Sequence, residues 1–69
     1  MIKVRLKLDE KLGEDGISRY ELAKRTGIRY MIIDNYYKNK VMRYDSFVLA
    51  RICEALGCDI SDIIESVNE

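Results

Sequence analysis

The chain has 69 residues, 48% of them hydrophobic, 35% charged and 9% aromatic. That length admits one small domain and excludes a second, and the apolar content excludes a disordered tail. Twelve basic residues balance twelve acidic ones and there is no histidine, which removes the usual general base near neutral pH and the commonest metal ligand.

Residues 2–8 alternate, with Ile2, Val4, Leu6 and Leu8 set against Lys3, Arg5 and Lys7. Period two predicts a strand or extended arm. From about Leu6 the pattern can switch to a helix carrying Leu8 and Leu12, weakened by Gly13 and ended by Gly16. Ser18 with Glu21 three residues later predicts a capping box at the start of a helix that Gly27 stops after Thr26. Over residues 29–38, an advance of 100° per residue puts Ile32, Ile33, Tyr36 and Tyr37 on one face. Tyr30, Met31, Asp34, Asn35 and Lys38 fall on the other. Asn39 is a candidate left-handed terminus for this helix.

After the loop 40–44, Asp45 is a good N-cap. The helix it opens carries Phe47, Leu49, Ile52, Cys53 and Leu56 and closes at Gly57. Phe47 and Tyr36 are expected in the core. Asp59 then caps a short helix with Ile60, Ile63 and Ile64, and residues 65–67 can extend into a strand. The two ends of the chain are thus candidates to pair. Cys53 and Cys58 have apolar neighbours and read as half-buried free thiols; two cysteines without histidine cannot close a four-ligand zinc site. A disulfide scaffold, a secretory signal and a membrane span are all missing, so the expected location is a reducing cytoplasm.

The balanced total hides an uneven distribution. Residues 17–43 carry Arg19, Lys24, Arg25, Arg29, Lys38, Lys40 and Arg43 against Glu21 and Asp34, a net of +5. Residues 44–69 carry Arg51 against six carboxylates, a net of −5. Such asymmetry marks an electrostatic footprint on one face. It coincides with two short helices, 18–26 and about 29–38, joined by Gly27-Ile28, which is a helix-turn-helix arrangement. Gly27 can take the positive φ the turn needs. Small Ala23 permits a close crossing, and Ile28 and Ile33 plug the angle between the helices. The second helix then presents hydrogen-bonding side chains flanked by cations, the form that enters a DNA major groove.

The run Ser18-Arg19-Tyr20-Glu21-Leu22-Ala23-Lys24-Arg25-Thr26-Gly27-Ile28 resembles the phage repressor/Cro-type helix-turn-helix family (lambda-repressor-like, XRE family). Residues 49–59 resemble the fourth helix of that family. The resemblance covers nearly the whole chain. It implies an all-α fold, a compact five-helix bundle over residues 1–69 with the helix-turn-helix at about 18–38. It also implies sequence-specific binding of double-stranded DNA and transcriptional regulation, most simply repression. Arg19 stands where the family often has a phosphate-binding Gln, and Arg29 where it often has a capping Ser or Thr.

On this reading Tyr30, Met31 and Asn35 are the base-contacting candidates: Asn35 for adenine, Tyr30 and Met31 for a thymine methyl. Arg19, Arg29, Lys38, Lys40 and Arg43 are the phosphate-contacting candidates. Asp34 suits an i, i+4 ion pair with Lys38 better than a base. Tyr37 lies on the border of the two faces. The acidic residues 54–69 are expected to face away from DNA. No nucleophile–base pair or phosphate loop is present, so an enzyme is not expected, nor is a cofactor, metal or small-molecule ligand. The alternative is a protein-interaction module on the same scaffold, antitoxin-like or an anti-repressor subunit. A weak homodimer through Ile2, Val4, Ile64 and Val67 is a further expectation; its competitor is a monomer whose own ends bury those residues.

Overall fold

The computed structural model describes residues 1–69. In chain order it contains strand β1 (Ile2–Leu6), helices α1 (Leu8–Asp15), α2 (Arg19–Thr26), α3 (Tyr30–Tyr37) and α4 (Ser46–Leu56), a 3-10 turn (Ile60–Asp62) and strand β2 (Ile64–Asn68). The core is built from Leu6, Leu8, Leu12, Leu22, Ile33, Tyr36, Val48, Ile52 and Ile63. Strand β1 and each of the four helices contribute one or two of these side chains, with Ile63 added from between the 3-10 turn and β2, so none of the eight-residue helices could persist without the others. No helix is long and apolar enough to cross a membrane.

The expected five-helix bundle is corrected to four α-helices and a two-stranded sheet. The fifth helix is only the 3-10 turn. Asp59 does open it, with its amide donating to Asp62 Oδ2 at 2.9 Å. The coil cannot continue because Ile63 is drawn inward and its carbonyl accepts the Lys7 amide at 2.8 Å. From there the chain runs antiparallel to β1, Leu6 opposite Ile64 and Ile2 opposite Asn68. The alternation read in residues 2–8 is thus a paired strand. Lys3 meets Glu69 and Arg5 meets Glu65 across the ladder, at 3.8 and 3.3 Å. Part of the acidic C-terminal segment is therefore spent on the N-terminal cations. These pairs are half exposed, each worth about 0–1 kcal/mol.

Two core assignments also change. Phe47 is 65% exposed, and Val48 and Ile52 take its place in the interior. So many apolar residues lie along α4 that its inward phase is ambiguous from spacing alone. The Phe47 ring instead sits 5.9 Å from the Arg51 guanidinium. In α3, Ile33 and Tyr36 are buried while Ile32 sits at the exposed rim. Tyr36 is core as expected, and its hydroxyl accepts the Asp45 amide at 2.9 Å.

Candidate nucleic-acid interface

The helix-turn-helix begins with a cap. Ser18 Oγ accepts the Glu21 amide at 3.0 Å, satisfying one of the free donors of α2. The reciprocal half of the expected capping box does not form: the Glu21 carboxylate accepts from Arg25 Nε at 3.0 Å, one turn along. At the other end Gly27 has φ 73°, a conformation that costs other residues ~1–2 kcal/mol. Buried Thr26 fixes the turn from inside. Its hydroxyl donates to Leu22 O at 2.9 Å and accepts the Ile28 amide at 3.2 Å. Its carbonyl accepts two bonds from Arg51 of α4, at 2.6 Å from Nη2 and 3.2 Å from Nε. A carbonyl at a helix end needs an outside donor, and Arg51 supplies it while tying the turn to α4.

Across the crossing, Arg19 of α2 reaches Asp34 of α3, Nη1 to Oδ1 at 2.6 Å. Lys38 reaches the other oxygen of the same carboxylate at 3.1 Å. The Arg19 guanidinium lies 4.4 Å from the centre of the Tyr37 ring. Lys38 first, and then Arg19, hold the Asp34 carboxyl below its ordinary range, against the opposing effect of burial. The Asp34–Lys38 pair is the one its spacing predicts. Arg19 as a third member was not legible, because the pairing depends on how α2 crosses α3.

Tyr30 and Met31 are 44% and 73% exposed at the start of α3, and Asn35 is half-buried. The Tyr30 ring is 6.4 Å from that of Tyr20, a residue sequence reasoning left without a role. Arg29 is the N-cap residue of α3 and its side chain makes no cap bond. Arg29, Lys40 and Arg43 are exposed and make no ion pair. The structure therefore divides the five expected phosphate ligands into two held on Asp34 and three with unpaired charges.

The loop after α3 is anchored by Asn39. With φ 59° it closes the helix as expected for a left-handed terminus. Lys40 N–H then donates to Asn35 O at 2.9 Å. The Asn39 side chain spans to β1, where Oδ1 accepts the Leu6 amide at 2.7 Å and Nδ2 donates to the Leu6 carbonyl at 2.8 Å. Thus Lys40 and Arg43 leave from a fixed point.

Residues 7–69 match the sequence model of the Cro/C1-type HTH DNA-binding domain. The chain belongs to this Cro/C1-type helix-turn-helix family. Among solved structures it is similar to the transcriptional regulator VanUg, with 30% identity and a TM-score of 0.78 over 99% of this chain and 89% of that one. It also shares the fold of a candidate DNA-binding protein from Bacteroides fragilis, at 21% identity and a TM-score of 0.79, over 91% of this chain and 100% of that one. No curated protein matches. In this Cro/C1-type chain the Arg19–Asp34 pair joins α2 to α3. Strand β1 lies outside the matched residues.

Proposed function

We propose that residues 1–69 act as one DNA-binding unit that places α3 in the major groove of a specific duplex site and represses transcription there. The observation that carries this reading is the outer side of α3. Opposite buried Ile33 and Tyr36 it presents Tyr30 and Met31, with the unpaired Arg29 before the helix and Lys40 and Arg43 after it. Tyr30, Met31 and Asn35 contact bases. Arg29, Lys40 and Arg43 contact phosphates directly, while Arg19 and Lys38 do so from their shared carboxylate. Selection of bound duplexes from a random pool tests the reading. A defined consensus supports it, and recovery of unrelated sequences rejects specific binding.

One recognition helix reads too few base pairs for a genome-scale address. Two copies related by twofold symmetry would set their helices ~34 Å apart, one duplex turn. The terminal strands pair within one chain, yet Ile2 and Val4 stay 72% and 52% exposed. They are the proposed contact between copies, whereas Ile64 and Val67 are already half-buried. The area is small, so the dimer is weak and completes on DNA. Ultracentrifugation with and without a palindromic duplex tests this; one chain per duplex on every selected site rejects it.

A further inference from the structure

Helix α4 ends at Gly57, whose φ of 62° turns the chain left-handed. Two backbone bonds close the turn: Gly57 N–H donates to Glu54 O at 3.3 Å, and Cys58 N–H donates to Cys53 O at 3.1 Å. This closure sets the residue after the glycine against the residue four positions before it, a contact usually made by two apolar side chains. Here both positions are cysteine. The thiols are free and half-buried, and both line one shallow groove with Leu49, Asp59 and Ile60. Burial pushes each thiol up. For Cys58, burial and then the neighbouring Cys53 raise it to about 11. Both sulfurs are therefore protonated at neutral pH and react slowly with oxidants that require a thiolate.

Paired sulfurs select soft cations. No group of three or more His, Cys, Asp or Glu side chains is assembled to hold a metal. The four-ligand tetrahedron that structural zinc requires is therefore not available. Two sulfurs lining one groove, with no third ligand, suit an ion content with two ligands. We propose that Cys53 and Cys58 form a two-coordinate site for a soft monovalent cation of the Cu(I) type, seated in the groove at the end of α4.

Loading breaks two S–H bonds and forms two sulfur–metal bonds. Two protons leave to solvent and no electron is transferred, so the neutral dithiol becomes a site of one negative charge. Lys11 opposes that charge from α1, while Asp62 reinforces it. The ion closes the end of the helix that carries Arg51, so the folded state is stabilised by mass action.

The test titrates the reduced protein with Ag(I), a redox-inert probe, and with Cu(I) against a chromophoric chelator. The expected result is one ion per chain, two protons released per ion, both thiols lost to a thiol reagent, and a raised Tm. Loss of a merely supporting group costs a metal site roughly 10–100-fold in affinity, so Cys53→Ser and Cys58→Ser should each lose at least that much. Far-UV circular dichroism checks that these small polar replacements leave the fold intact. Binding by the double variant at undiminished strength would overturn the site, pointing to Met1, Met31 or Met42. So would one ion shared between two chains, or release of fewer than two protons.

Discussion

The side-chain amide of Asn39 holds the backbone of Leu6 by both its amide and its carbonyl, across 33 residues of sequence. One residue thereby ends α3, orients the loop carrying Lys40 and Arg43, and occupies the β1 backbone on the side away from β2. Asn39→Ala should cost ~2–3 kcal/mol, from two lost hydrogen bonds and two orphaned backbone groups. Asn39→Gly loses the same bonds but tolerates the left-handed backbone, so it should be milder by ~1 kcal/mol. Urea denaturation of both variants checks this; equal losses would remove the backbone contribution.

Arg51 belongs to the acidic half of the sequence but serves the helix-turn-helix. Arg51→Ala removes two charge-assisted bonds to Thr26 O, and a cost of ~1.5–3 kcal/mol is expected. Arg51→Lys keeps the charge but lacks the fork, so it should recover less than half of that loss. Unfolding free energies of the three proteins decide the matter. Full recovery by lysine would mean that charge alone matters.

Asp34 restrains two cations at the proposed interface. Asp34→Asn should raise affinity for random duplex and make its salt dependence steeper, because Arg19 and Lys38 become free for phosphates. The same substitution should flatten the acid limb of stability. The folded carboxyl titrates below the unfolded one. Its contribution is therefore complete above the unfolded pKa and is lost as pH falls through the folded value. Fluorescence polarisation at several salt concentrations tests the first effect, and denaturation at graded acid pH tests the second. An unchanged affinity for random duplex would dismiss the restraint.

The charge distribution predicts strong salt dependence despite a net charge of zero. With roughly 4–6 phosphates neutralised per chain, log K should fall against log salt with a slope of about −4 to −5. A flat response would reject the proposed face.

Affinity and specificity should separate by residue. Lys40→Ala and Arg43→Ala should weaken binding to all duplexes alike. Asn35→Ala should relax preference at one base pair by ~1–3 kcal/mol. Equal losses for Asn35→Ala on specific and random duplex would remove its base-reading role.

The features legible in the sequence are those set by neighbours in the chain. Ser18 before Glu21, Gly27 after Thr26 and Gly57 after Leu56 mark helix ends, because caps and left-handed turns act within a few residues. The alternation from Ile2 to Leu8 marks a strand for the same reason. Phe47, expected in the core, lies outside it because α4 carries more apolar residues than one face can bury. What sets the site, however, spans the fold. Arg51 meets Thr26 and Asn39 meets Leu6 at separations of 25 and 33 residues. No local pattern announces a side chain that will meet a distant carbonyl. In Thr26 a signal did exist: a helix ending under a buried turn must find a donor for its last carbonyl.

The ribbon that joins Ile2–Leu6 to Ile64–Asn68 also orders events during synthesis. Local helices α2 and α3 can meet as soon as both have left the ribosome, but β1 must wait for its partner strand at Ile64–Asn68. At roughly 5–20 residues per second, that wait is on the order of several seconds. Throughout it, a strand with Ile2, Val4 and Leu6 on one face has no partner in its own chain, while Lys3, Arg5 and Lys7 keep it charged and discourage it from pairing with other nascent strands.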